Sequence, residues 1–300
     1  MNWIFLSLLA PLVYTFVNFI DKYIIEHKVK DSRGMPIYAA TTAIVFGTGI
    51  WLATGLPTLS GRNSLLVLTA GMVLLFAFAL YFYALAQSHT SYIVALMQTI
   101  PIFTLILSIA IMGDSLNWLQ FGGFFLVFAA VIGLSIDRVE RRIRITKSFY
   151  AITAANMLFA VASIIIKFTI ALNGFAAILA YESWGLALGG VILFLLSSRV
   201  REAFIGSLRS VSKPTLGIMF FNESLVIVAK ALTFLAISLG PVALVSVLGG
   251  SQVFYGFLLG IILTALFPRF FHEDIARKAI VIKLICSIVL FIGVWCVATG

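Results

Sequence analysis

Apolar positions along this chain come in unbroken runs. Leu, Ile, Val, Phe and Ala continue for about 20 residues with no polar face, then give way to short clusters of Lys, Arg, Asp and Ser. About 20 mostly apolar residues are what a helix needs to cross a hydrocarbon core. Read at that length, the chain divides into ten segments, 3–21, 35–54, 64–86, 91–112, 119–136, 148–171, 175–197, 214–238, 241–266 and 279–299. The runs are too long and continuous for the alternating strands of a membrane barrel. The connections at 22–34, 137–147, 198–213 and 267–278 are short and charged, with no space for an extramembrane domain. The expected fold class is an all-α integral membrane protein with ten transmembrane helices.

Composition sharpens that reading. Of 300 residues, 62% are hydrophobic and 10% charged, whereas a soluble domain is about half apolar and about a quarter charged. The net charge of +9 is not the footprint of a nucleic-acid partner, because the basic residues sit in the connections. Lys22, Lys28, Lys30 and Arg33 follow the first segment, and Arg138, Arg141, Arg142, Arg144 and Lys147 follow the fifth. Arg199, Arg201, Arg209 and Lys213 follow the seventh, and Arg269, Arg277 and Lys278 the ninth. In a ten-span arrangement all of these fall on one side, against Arg62 alone on the other. Lys and Arg mark cytoplasmic loops, so a multi-pass plasma-membrane protein is expected, with basic loops cytoplasmic and both termini outside. The first segment lacks a basic leader and a small-residue cleavage site, and is expected to be a retained span. Cys286 and Cys296 lie ten residues apart on one segment, too far along a helix axis for a disulfide between them.

The two halves echo one another. YALAQSHTSYIVALMQTIPIF at 83–103 aligns with FLAISLGPVALVSVLGGSQVF at 234–254, so that Pro101 meets Gln252 and Phe103 meets Phe254. Asn18 and Lys22 correspond to Ser163 and Lys167, Tyr38 to Tyr181, Asp114 to Asp274 and Gly133 to Gly293. An odd number of spans per copy threads the copies through the membrane in opposite senses. The expected organisation is a first five-helix repeat at 1–137, a basic cytoplasmic connector at 138–147 and a second five-helix repeat at 148–300. Inverted repeats of this kind are characteristic of secondary transporters, with the substrate site near the midplane between the copies.

Residues 83–134 resemble the repeat signature of the drug/metabolite transporter superfamily, EamA-like ten-helix branch. The features that carry the resemblance are Ala84 and Leu85 closing the third helix, Ala95 opening the fourth, the mid-helix Pro101, the pair Gly113–Asp114, and Gly122 and Gly123 in the fifth. Asp114 stands where the family usually has Glu. The second copy has Gln252 in the proline place and only His272, Glu273 and Asp274 near its acidic position. The resemblance implies a carrier of two inverted five-helix halves around a central cavity. Its members move amino acids, metabolites, drugs or nucleotide sugars. Related small multidrug pumps couple to protons through a Glu in the first helix. This chain has no acid there before Asp21, so that mechanism does not transfer.

The candidate chemistry lies in ionisable residues inside apolar runs. Segment 214–238 holds Glu223 and Lys230. Inserting both at mid-membrane costs ~5–7 kcal/mol, and the twelve Leu, Ile, Val and Phe residues of 215–238 return only ~4–7 kcal/mol. Such a helix is better placed against polar partners than lipid. Seven residues put the two groups on one face but ~10 Å apart, beyond a direct bridge. Glu182 lies at matching depth for Lys230. Asn156, Ser163 and Lys167 form one stripe on the sixth segment. Glu223 has no obvious mate, and a deep unpaired acid suits a proton or cation site. Gln98 and Gln252 sit beside the kink and its repeat mate, with Tyr14 and Asn18 completing the cavity from the first segment. Lys22 and Lys283 are expected to snorkel, His89 and His272 to be solvated, and Gly185/Gly189 and Gly256/Gly260 to serve close helix packing.

The expected substrate-binding set is therefore Glu223, Lys230, Glu182, Lys167, Asn156, Gln98, Gln252, Tyr14 and Asn18. The expected function is secondary-active transport of a small polar or amphipathic metabolite by alternating access, with a proton or cation as coupling partner. A lipid-handling protein of scramblase type is the alternative, and would present its polar stripe to lipid. HExxH, GxSxG and Cys/His clusters are absent, so no enzyme, cofactor or metal is expected. The sequence sets no oligomeric state.

Overall fold

The computed structural model describes residues 2–29, 31–85, 87, 96–135, 147–266 and 277–300. Among these every regular element is helical. The helix α1 (Trp3–His27) starts at Asn2, whose side chain accepts from the Ile4 amide. It runs through Pro11 and six residues past Asp21, where the apolar run ends. A 3-10 turn (Ser32–Gly34), capped by Asp31, leads into α2 (Met35–Ala53) with Pro36 in its first turn, where a missing amide costs nothing. Helix α3 is Gly61–Leu85.

The fourth apolar run is discontinuous. Residues 98–99 form a turn, and α4 (Ile100–Leu107) starts afresh with Pro101 in its first turn, continuing as a π turn over Ser108–Met112. Proline therefore opens a helix here where a mid-helix kink was expected. The π turn ends at Gly113, whose φ of 68° suits glycine, and the Ser108 hydroxyl donates to the Asp114 carboxylate. Helices α5 (Trp118–Ser135), α6 (Lys147–Ile170) and α7 (Phe175–Leu196) follow.

The stretch 198–213 was expected as a loop, but most of it is α8 (Ser198–Ser210). Its Ala203 and Ser207 are buried while Arg199 and Arg209 are exposed, the pattern of a helix lying in a membrane interface. It rests against the start of α2. A Cβ on Gly34 would stand 3.0 Å from the Phe204 Cα, and the Tyr38 hydroxyl donates to Ser207 Oγ at 3.1 Å. Helix α9 (Lys213–Leu239) ends at Gly240. The ninth run is split like the fourth, into α10 (Val242–Gly249) and α11 (Gln252–Leu266), and α12 is Arg277–Thr299.

Among the described residues, seven helical stretches are long and apolar enough to cross a membrane. Three shorter apolar ones lie at Ile100–Met112, Trp118–Gly133 and Leu284–Thr299. Helix α1 packs on α9, α3 on α6 and α7, α2 on α7, α4 on α6 and α10, and α5 on α12. Small residues set several crossings. A Cβ on Gly71 would lie 2.0 Å from the Glu182 carbonyl oxygen, and one on Gly185 would lie 2.1 Å from that of Leu68. The α3–α7 backbones thus touch at two glycines. Gly189 follows the same expectation, whereas Gly256 has open space around it. Cys286 and Cys296 are free thiols. The residues Lys30, His89, Ala95, Arg138, Arg141, Arg142, Arg144, Arg269, His272, Glu273 and Asp274 lie outside the described residues, as do the Lys22 and Lys283 side chains.

Candidate functional site

A buried polar cluster joins residues of α1, α7 and α9. Lys230 Nζ is 2.5 Å from Glu182 Oε2, with the two residues 7% and 0% exposed. Depth matching had paired them, and the close α3–α7 crossing explains how Glu182 is held, since its own carbonyl is the atom packed on Gly71. Lys230 also reaches Ser183 Oγ at 3.4 Å, while Ser183 donates to the Leu179 carbonyl. The second carboxylate oxygen, Glu182 Oε1, has no hydrogen-bond partner among the described residues. Tyr14 bonds Thr233 and lies within electrostatic reach of Glu182. Removing two ions from water costs several kcal/mol each, and the pair recovers this only through close geometry.

A second cluster lies two helical turns away, around Glu223. The neighbouring Asn222 is 2% exposed, and its Nδ2 donates to Asp21 Oδ1 at 2.7 Å, leaving Asn222 Oδ1 without a partner among the described residues. Glu223 is partly buried and sits within electrostatic reach of Asp21 and Lys230, while Tyr81 is within reach of Asp21. Asp21 is the residue that sequence reasoning missed. The apolar run stops there, but YIIEH continues the helix to His27, which carries the acid inside the bundle. Glu223 opens into a groove of about 270 Å³ walled by α2, α8 and α9.

The two helix breaks form the third feature. Gln98 lies in the first and Gln252 opens the helix after the second, both partly buried. Thr15 Oγ1 on α1 donates to the Pro11 carbonyl at 2.8 Å and reaches the Gln252 carbonyl at 3.4 Å. Ser246 Oγ meets Thr104 Oγ1 at 3.3 Å, so the discontinuous helices also touch through hydroxyls.

The stripe on α6 is spent on backbone. Asn156, fully buried, donates to the Leu96 carbonyl at 2.8 Å and to Thr99 Oγ1 at 2.9 Å. It joins the Thr99 amide and hydroxyl, which already donate to the Leu96 carbonyl, and so ties α6 to the turn before Pro101. Ser163 donates to the Phe159 carbonyl. Lys167 Nζ donates to the carbonyls of Ile237 and Gly240, both at 2.7 Å, closing the C-terminus of α9 where a cation suits the helix dipole. Asn156 and Lys167 thus brace the fold with the donors expected to meet a substrate. Asn18 is exposed on α1, and among the described residues no hydrogen bond joins its side chain to these clusters.

Residues 1–136 match the model of the EamA-like transporter family, which belongs to the drug/metabolite transporter superfamily. That is a family of membrane transporters and not of enzymes. No curated protein matches the chain. Among solved structures 28 chains match. One of these, a protein of known crystal structure, is 16% identical with a TM-score of 0.65, over 99% of this chain and 96% of its own. At that identity the likeness is one of fold.

Proposed function

Starting from a first half that is EamA-like, we propose that this protein is a secondary-active carrier of a small polar or amphipathic metabolite. It works by alternating access between two inverted five-helix halves, 1–137 and 148–300. The single observation that carries this reading is the polar core shared by both halves. Tyr14 and Asp21 come from the first, and Glu182, Asn222, Glu223, Lys230 and Thr233 from the second. A scramblase would turn its polar stripe to lipid. Here the strongest pair is buried, which favours the carrier.

The helix pairing supports the inverted arrangement. If α1 corresponds to α6 and α3 to α9, exchanging the halves turns the α1–α9 contact into the α6–α3 contact. It also returns α2–α7 and α5–α12 to themselves, and all of these pairs pack in the fold. The breaks at 98–99 and 250–251 fall at matching places, and discontinuous helices near the midplane commonly build transporter sites. Ten spans are supported by length as well. The 23 residues of α12 extend ~35 Å at ~1.5 Å each, against a core of ~30 Å. The basic loops are assigned to the cytoplasm of a plasma-membrane protein, with both termini outside.

Glu223 is assigned the coupling or cation-binding role. Lys230, Glu182 and Tyr14 form the adjoining charged wall, and Gln98 and Gln252 line the path at the breaks. Asn156 and Lys167 are assigned positioning roles. The test uses proteoliposomes enclosing a pH-sensitive dye, challenged in turn with amino acids, nucleotides and cationic drugs. One class is expected to drive flux that responds to a pH gradient, and Glu223→Gln is expected to abolish that response. Full pH-dependent transport by the variant removes Glu223 from the mechanism.

A further inference from the structure

The groove beside Glu223 has a chemical polarity of its own. Its polar lining is Tyr38, Thr41, Thr42 and Glu223, and the hydroxyl protons are already committed. Tyr38 donates to Ser207 Oγ at 3.1 Å. Thr41 donates to the Tyr38 carbonyl at 2.8 Å, and Thr42 to the carbonyls of Tyr38 and Ala39 at 3.1 and 3.0 Å. What these hydroxyls still offer is lone pairs, and an ionised carboxylate offers only acceptors. No Lys, Arg or His lines the groove among the described residues. An anion entering it would find no side-chain donor and one like charge. An ammonium group would find acceptors on one side and a carboxylate at the end.

The rest of the lining takes an apolar body. Phe204 stands edge-on to Tyr38 with ring centroids 4.8 Å apart, and Phe220 stacks on Phe46 at 5.3 Å. Aromatic faces attract cations as well as hydrocarbon. Leu208 and Phe220 are 45% and 47% exposed, so the apolar side of the groove is open, and α8 borders it at the membrane interface. At about 270 Å³ it is slightly smaller than the roughly 300–1,000 Å³ of drug-sized ligand pockets, which limits it to a small compound.

We propose that this groove is a lateral portal through which small amphiphilic ammonium compounds reach Glu223 from the leaflet on the basic-loop side. The proposal rests on the carrier reading above and adds a substrate class and a route.

The test begins with the unaltered protein in lipid nanodiscs, titrated by calorimetry with three probes of one shape, 3-phenylpropylammonium, 3-phenylpropanol and 3-phenylpropionate. The ammonium compound is expected to bind at least about tenfold more tightly than the other two, as charge-assisted bonds outweigh neutral ones. Equal or tighter binding of the carboxylate or the alcohol overturns the proposal, and so does binding by none of the three. Thr41→Val with Thr42→Val keeps the shape and removes two acceptors, and is expected to weaken the ammonium probe by about fivefold. Leu208→Trp plugs the mouth from an exposed position and is expected to abolish binding while the melting temperature holds. If Leu208→Trp binds normally but Glu223→Gln does not, the portal is wrong and the carrier reading stands. The carrier reading fails separately, through undiminished pH-dependent transport by Glu223→Gln.

Discussion

Glu182→Gln would leave the Lys230 ammonium inside the bundle with an amide in place of its counter-ion, and Lys230→Met would strand the carboxylate. Breaking a buried pair in this way costs ~3–5 kcal/mol, whereas replacing both partners by apolar groups is often neutral. We therefore expect each single variant to lower the melting temperature of the detergent-solubilised protein well below that of Glu182→Leu with Lys230→Met. A double variant that melts no higher than the singles would mean that the two groups are held apart by other partners. Transport reads the opposite preference. The double variant should be stable and inactive if the pair belongs to the charged wall beside Glu223. The pairing itself was legible because both residues lie at one depth in their apolar runs. Asp21 was not, because hydropathy averages end a span where charges begin, while helix geometry carries α1 on to His27.

At the scale of elements, the breaks and crossings are held by single groups with assigned partners. Asn156→Leu removes the two hydrogen bonds that tie α6 to the turn before α4, each worth ~0.5–1.5 kcal/mol net, while the Leu96 carbonyl keeps the Thr99 amide and hydroxyl. Hydrogen exchange is expected to accelerate at 96–102 with little change in α12. Lys167→Met should do the same at 237–241, where two carbonyls lose their cation. The glycines give a sharper contrast. Gly71→Ala places a methyl carbon 2.0 Å from the Glu182 carbonyl, so α3 must move away from α7 or the protein fails to accumulate. Gly256→Ala meets nothing within 4 Å and should be neutral or stabilising by up to ~1 kcal/mol, the helix preference for Ala. A GxxxG spelling predicted close packing at both places. Spacing alone does not say which face of a helix meets a neighbour, and so one match proved structural while Gly256 did not. Helix α8 was missed for a related reason. Its Val200, Ala203, Phe204, Ser207, Leu208 and Val211 repeat at helical spacing, but the segment is too polar to register as a span and too short to stand out among charged connections.

For the whole molecule, the parity of the spans decides the topology. Among the described residues, seven helical stretches meet the length and hydropathy of a crossing helix and three fall short. If the three also cross, both chain ends lie on one face. An odd count would put them on opposite faces. Single cysteines in a Cys286→Ala, Cys296→Ala background separate these cases. Asn2→Cys, Ser60→Cys, Asn173→Cys and Thr299→Cys should all react with an impermeant maleimide on intact cells, and Ser198→Cys and Ser210→Cys only after permeabilisation. The pair Ser60 and Asn173 is the informative one. Each lies in a connection near the first helices of its half, after α2 in the first and after α6 in the second, and Asn63 and Asn173 bond at 3.3 Å. Those connections share a face only if the halves are threaded in opposite senses, so reaction of Ser60→Cys without Asn173→Cys would undo the inverted arrangement. Asn2→Cys and Thr299→Cys reacting from opposite sides would undo the even count.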